Sequence, residues 1–245
     1  LPMAYYIENQ LVEPKPIAIN FINETFDLLL AGLEIEDTGF QVMLRGQLTE
    51  QSNTTVNFKG KSISMYAGTS VVKATGASAT TLNLEAQTVV VGDAGGAALT
   101  ADTINITGNT TSAGTTGVQI LRASTVTSSG ATTITSTGLG TSLSSDADTT
   151  IAATGGLTVS NNNAGTLASL VTGGTANAGG LTKQGAGTLT LSNANTMKGT
   201  TLVSGGTLAL SNVNALQSST LDTGTTGTQQ VTFIVAGTNT YNLGA

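Results

Sequence analysis

The sequence predicts a mainly β fold: a right-handed parallel β-helix (β-solenoid) with an N-terminal helix-plus-strand cap. Three observations predict it. From residue 62 onward, short alternating triplets and quintets flanked by Gly, Asn, Ser or Asp follow one another with no helical stretch between them, which excludes βαβ units. Equivalent triplets recur at about 20 to 22 residues, as from Leu82 to Ile104 to Val126, which is the length of one coil and not of one hairpin. No aromatic residue stands between Tyr66 and Phe233, and no proline follows Pro16. A narrow interior has no room for rings, and strands paired on both edges have no place for proline.

Taken in order, residues 1–61 form the cap or anchor segment. They hold 12 of the 22 charged residues, all three prolines and six of the nine aromatics, so their chemistry is close to that of an ordinary domain. Ile19, Ile22, Phe26, Leu29, Leu30 and Leu33 recur at steps of three and four, which places them on one face of an amphipathic helix over about 17–32. Gly32 stands where a helix stop belongs. These six apolar residues are the expected partner contact. From Leu33 to Leu48 the pattern turns to alternation, through Ile35, Phe40, Val42 and Leu44. That predicts two short strands around the Asp37-Thr38-Gly39 turn, with Glu34, Glu36 and Asp37 on a solvated edge.

Residues 62–245 then read as a ladder. Strands are predicted at Leu82–Leu84, Val89–Val91, Ile104–Ile106, Val118–Ile120, Thr133–Thr135, Leu157–Val159, Thr188–Leu191, Leu202–Val203, Thr207–Leu210 and Val231–Val235. At about 4.8 Å per coil, these residues make roughly eight or nine coils and a rod on the order of 40 Å long. Thr and Asn at equivalent positions are expected to form outward ladders along the axis.

Composition narrows the function classes. The 245 residues include 31 Gly and 46 Thr, and charged residues are 9% against about 25% in an ordinary domain. With no His and no Cys, the commonest general base, the soft metal ligands and the thiol nucleophile are all missing. A net charge of −6 and eight scattered basic residues exclude nucleic acid as a partner. A hydrophobic content of 39% and a mean hydropathy of +0.17 exclude a disordered linker. No run of about 18 apolar residues exists, so no transmembrane helix is predicted.

The candidate catalytic groups read as structural ones. Polysaccharide cleavage needs two carboxylates on one face with aromatic platforms beside them. Asp146 and Asp148 stand on the same side of an extended chain, and Asp93 lies near Asp102 in sequence, but no aromatic accompanies the first pair. Turn chemistry accounts for them, and they lack the glycine-aspartate repeat of calcium-binding coils. Lys183 and Lys198 are read as charges that keep strand edges soluble. Gly95-Gly96 and Gly173-Gly174 lack the lysine spacing and the following helix of a phosphate loop. The Thr-x-Thr triplets starting at Thr125, Thr133, Thr188 and Thr238 are irregularly spaced, so they make no regular ice-binding register. Asn-x-Thr at Asn23, Asn53, Asn105 and Asn109 is expected by chance in a chain so rich in threonine. No catalytic residue, metal ligand or cofactor is predicted.

One stretch is more specific. Residues 180–210 read GLTKQGAGTLTLSNANTMKGTTLVSGGTLAL and resemble the autotransporter-associated β-strand repeat of bacterial surface proteins. The matching positions are Gly180 to Lys183, Gly185, Gly187 to Leu189, Leu191-Ser192, Asn195-Thr196, Gly199 to Thr201, Val203 and Gly206 to Leu208. Leu189 and Leu191 are expected inside, and Gly185, Gly187, Gly205 and Gly206 at tight corners of positive φ. Asn195 is expected to bond neighbouring backbone. Met197 departs from the family pattern, which prefers an aromatic there. The resemblance implies an extracellular or cell-surface protein associated with the outer membrane, with a signal peptide ahead of this stretch and a membrane barrel behind it. By that reading the chain is a fragment or processed product of a longer protein. The expected role is a structural or adhesive cell-surface or secreted stalk. Anchoring, self-assembly or protein partners are assigned to the N-terminal cap, with host or matrix glycans as further partners. A phage or virion fibre is the alternative, and a carbohydrate-active β-helix enzyme the third.

Overall fold

The structure, a computed structural model, describes residues 17–21, 33–50, 52–175, 179–224, 229–234, 240 and 243, with side chains from residue 41 onward. The chain starts with β1 (Ile17–Phe21), β2 (Leu33–Glu50), β3 (Thr55–Met65) and β4 (Ser70–Lys73). Regular coils follow. They are β5 (Thr81–Ala86), β6 (Thr88–Val91) and β7 (Ala98–Ala101), then β8 (Thr103–Gly108), β9 (Thr116–Ile120) and β10 (Thr125–Ser128). Next come β11 (Thr132–Ser136), β12 (Thr141–Ser145) and β13 (Thr150–Ala153), then β14 (Leu157–Asn161), β15 (Gly165–Leu167) and β16 (Leu170–Thr172). The last turns are two-stranded: β17 (Gly180–Gln184) with β18 (Thr188–Leu191), β19 (Gly199–Val203) with β20 (Thr207–Leu210), and β21 (Ser219–Asp222) with β22 (Gln230–Phe233).

All pairings between these strands are parallel, and they build a three-sided solenoid. The first face stacks the early half of β3 with β5, β8, β11, β14, β17, β19 and β21. The second stacks the later half of β3 with β6, β9, β12, β15, β18, β20 and β22. The third stacks the end of β2 with β4, β7, β10, β13 and β16. Eight strands on the first face, at about 4.8 Å each, make a rod on the order of 40 Å long.

The sequence explains this ladder through rows, not coil lengths. On the first face the inward row runs Val56, Leu82, Ile104, Thr132, Leu157, Leu181 and Thr201, all buried and in register. Period-2 alternation sends each neighbour outward. The expected 20-to-22-residue step holds from Leu82 to Ile104 and again from Leu181 to Thr201 to Leu221, but not between Ile104 and Leu181. Ile104 pairs with Thr132, 28 residues on, while Val126 belongs to the third face between Leu99 and Ile151. Residues 109–115 between β8 and β9 take up the extra length at a corner, where added residues leave the ladder undisturbed.

Two expectations for the cap change. Ile17–Phe21, the start of the expected helix, is strand β1, paired in parallel from Ile17 with Val42 to Phe21 with Gly46. Residues 22–32 lie outside the described residues. The segment IAINF alternates as well as it fits a helical step, and the edge of β2 offers backbone partners that an extended chain satisfies. Leu33–Glu50 is one strand, not two short ones. Its stretches Leu33–Asp37 and Gln41–Leu44 both lie parallel to β3, with a register shift between Asp37 and Gln41 where the turn was expected. Position 61 falls inside β3, so the composition changes there while the ladder continues.

The corners are fastened by buried hydroxyls. The residue ahead of β4, β10, β13 and β16 is Thr69, Ser124, Thr149 or Ser169, each buried, while Ala97 stands ahead of β7. Thr69 donates its hydroxyl to the Leu44 carbonyl at 2.7 Å, and Ser124 Oγ accepts the Ala97 N–H at 3.0 Å. Such side chains satisfy backbone groups where the ladder bends. The outward amide ladder exists too: Asn105 donates to Asn83 at 2.8 Å, and Asn83 to Asn57 at 2.6 Å. Aliphatic residues fill the core as expected, with Phe58, 1% exposed, as its one buried ring among the described residues.

Candidate functional site

The ionisable groups gather at corners. Asp102 lies between β7 and β8, where the third face gives way to the first. Its Oδ1 accepts the Lys73 ammonium at 2.5 Å and the Ser129 hydroxyl. Its Oδ2 accepts the Thr80 N–H at 3.0 Å and the Thr80 hydroxyl at 3.1 Å. Lys73 first, then the Ser129 hydroxyl and the Thr80 amide, hold this carboxyl well below the usual carboxylate range. Asp93 stands at the opposite end of β7, so the two aspartates close different corners and form no catalytic pair.

Glu50 ends β2 directly in register with Lys73. It is fully buried, and neither of its carboxylate oxygens has a hydrogen-bond partner. Burial first, and then the charge of Asp102, push its carboxyl up to about 7.

Asp146 and Asp148 serve the turn before β13. Asp146 Oδ2 accepts the Arg122 N–H at 2.9 Å, and its carbonyl accepts the Thr149 hydroxyl at 2.6 Å, while Asp148 is exposed. An open groove of about 180 Å³ at the corner from first to second face is lined by Lys59, Lys61, Glu85, Gln87 and Asn109. It holds one carboxylate, and that one is ion-paired with Lys59 at 3.8 Å, so no two carboxylates face across it. Among the described residues no group of three or more carboxylates is placed to hold a metal ion.

Lys183 corrects the sequence reading. Its side chain is fully buried, in the inward row of Ile134, Val159 and Val203. Its ammonium donates to the carbonyls of Gln184, Gly185 and Gly205 at 2.6, 2.9 and 3.1 Å. Burial pushes it down to about 8, so it stays charged at neutral pH and ties two successive corners together. The signal was present: Leu181 and Lys183 are alternate residues, so an inward Leu181 forces Lys183 inward as well. Lys198 is exposed.

The other repeat positions are coil parts. Leu189, Leu191 and Met197 are buried. Asn195 accepts the Val171 N–H at 2.9 Å and donates to the Ala215 carbonyl at 3.1 Å, joining three coils. Gly185 takes a φ of +76° and Gly206 of +64°, as corners demand. Gly187 is needed for space instead, since a Cβ there would meet the Asn163 carbonyl oxygen at 2.1 Å.

Of the six expected partner-contact residues, Ile19 stands in β1 opposite Leu44 and Leu33 in β2 opposite Val56. Ile22, Phe26, Leu29 and Leu30 lie outside the described residues. The Glu50–Lys73–Asp102 cluster was missed because SVVK, with a lysine at its end, does not announce strand β4.

With this geometry in place, residues 181–210 match the family model of the passenger-associated-transport-repeat. The match spans β17 to β20 and, with the parallel solenoid around it, supports an autotransporter passenger-like β-helix repeat protein. Comparison with curated proteins and with solved structures gives no match.

Proposed function

We propose that this chain is a β-helical stalk, secreted or displayed at the cell surface, in which the coil is itself the functional product. The observation that carries the reading is the passenger-type repeat at 181–210 running in unbroken parallel register with the coils before it. The corner groups support it, because Asp102, Asp146 and Lys183 are each occupied in holding the coils. In this reading the coil has the right hand that the resemblance implies. Contact with a surface, a partner protein or another copy is made through residues 1–61, around Ile19, Ile22, Phe26, Leu29, Leu30 and Leu33.

Added protease and a membrane-impermeant label test the location on intact cells. Both are expected to reach the stalk, and a chain protected until lysis would sink the reading. Contact through the cap is tested with Ile22→Asp combined with Phe26→Asp in the full chain. Adhesion or self-association should be lost while the β-sheet circular dichroism is kept. Adhesion that survives the pair places the contact elsewhere on the rod.

A further inference from the structure

At the start of the third face a single cation stands between two carboxylates. Glu50 and Lys73 are register partners on successive coils, about 4.8 Å apart along the stack. Lys73 gives its ammonium to Asp102, on the far side, at 2.5 Å. Asp102 has three further donors, the Ser129 hydroxyl and the amide and hydroxyl of Thr80. Glu50 has none, although it is fully buried.

The other charged residues of the neighbouring strands stand elsewhere on the rod. On β2, Arg45 lies over the Tyr66 ring at 4.5 Å, and Glu34, Glu36 and Asp37 stand in register with Asn57, Lys59 and Gly60 on the first face. On β3, Lys59 pairs with Glu85, and Lys61 lines the groove at the following corner. β1 carries no charged residue. Lys73, by its register, and Asp102, by its charge, are therefore the charged groups set against Glu50 among the described residues.

A buried carboxylate without a donor costs several kcal/mol if it is ionised. The arrangement is thus stable in one protonation state only. With a proton on Glu50, Lys73 remains on Asp102 and the coils stack. Without it, Lys73 must swing back towards Glu50 or water must reach the carboxylate. Either movement disturbs the pairing of Gln47–Glu50 with Ser70–Lys73.

We propose that Glu50, Lys73 and Asp102 form a proton-operated latch between β2 and β4, closed while Glu50 is a neutral acid and loosened when it ionises. The direction follows from linkage. The closed state holds its proton up to about pH 7, whereas an opened strand releases it near the ordinary glutamate value of about 4.3. The latch is fully closed below the ordinary value, weakens as pH rises through the interval, and levels off above about 7. Since β1 stacks on β2 through Ile17–Phe21, the latch controls the coil that carries the N-terminal segment.

Hydrogen exchange of the full chain, corrected for intrinsic rates, tests this at about pH 5.5 and about pH 8.5. Opening of residues 47–50 and 70–73 is expected to rise roughly 30-fold between the two, with the repeat at 181–210 unaffected. In Glu50→Gln the rise should vanish and protection at the higher pH should be at least that of the wild type at the lower. Wild-type opening that ignores pH, or a rise that persists in Glu50→Gln, overturns the latch. Carboxyl-carbon NMR of Glu50 in the wild type decides the matter even if the variant fails to fold. A midpoint near neutrality supports the latch, and one in the ordinary glutamate range refutes it.

Discussion

The coils up to residue 172 and the repeat at 181–210 build one ladder from different materials. In the earlier coils all three faces carry strands, and successive partners stand as far as 29 residues apart, as from Val89 to Val118. In the repeat the third face has no strand, and the step from Leu189 to Leu208 is only 19 residues. There the chain turns the third side without a strand. The N–H groups of Thr196 and Met197 donate to the Val171 carbonyl and that of Lys198 to the Gly173 carbonyl, while Asn195 bridges the coils on both sides. The difference teaches that stacking is enforced by inward rows and corner fastenings. Coil length is free wherever those two are kept.

If that is right, the interior rows should be equivalent in both regions, and deleting one large residue from either should give the largest effect. Leu99→Ala and Leu189→Ala each empty a fully buried site and are each expected to cost about 2–5 kcal/mol. Chemical denaturation with a probe in each region checks this. Solenoid coils contact only their neighbours, so each loss should be felt first in its own region. A loss at Leu99 far smaller than at Leu189 would break the equivalence and make the repeat the sole stable part.

The next effect belongs to the repeat alone. Lys183→Met keeps the stem but leaves the carbonyls of Gln184, Gly185 and Gly205 without their donor, at a cost of about 2–4 kcal/mol. The pH dependence has a definite sign. The folded Lys183 loses its proton at about 8, below its ordinary 10.5, so between these values the unfolded chain binds more protons. The Lys183 contribution to stability therefore rises with pH across that interval. Thermal unfolding at stepped alkaline pH should show this rise in the wild type and a flat profile in Lys183→Met.

How much of this was legible follows the same division. The first and second faces were readable because β5, β8 and β18 alternate large aliphatic residues with Thr or Asn, and β6 is a run of valines. The third face was not. β7 and β13 read ALTA and TIAA, with a single large inward residue each, and one such residue sets no period. With that face unseen, Val126 looked like a first-face position, and Glu50 and Lys73 were given no place in the coil. Lys183 was missed for another reason: its charge outweighed its place in the alternation. A hydrogen-bonded ammonium inside a narrow core depends on three carbonyls that meet only after coiling.

Asn195→Ala is expected to cost about 1–2 kcal/mol, less than Lys183→Met, because one amide donor and one acceptor are lost and no charge is involved. Its value lies in where the damage appears. Hydrogen exchange should rise at Val171 and at Ala215 together, since one side chain serves both coils. A rise at only one of them would mean that the missing third-face strand is replaced by backbone contacts and not by asparagine.

The smallest effect is expected on the outer surface, at the centre of the amide ladder. Asn83 accepts from Asn105 and donates to Asn57, but the row is half-exposed, so water can serve both partners when the amide is removed. Asn83→Ala should therefore cost only about 0.5–1 kcal/mol. The same row continues upward as Thr133, Thr158 and Thr182, where β-branched hydroxyl residues occupy the amide positions without breaking the ladder. Asn83→Thr should thus be closer to neutral than Asn83→Ala, the higher strand propensity of threonine offsetting the lost amide bonds. Thermal unfolding of the two variants side by side separates the roles. If threonine proves as costly as alanine, the amides carry register in the earlier coils, and the two regions differ in their outer faces as well as their corners. If threonine is tolerated, the outer row is interchangeable along the whole rod, and register resides in the interior.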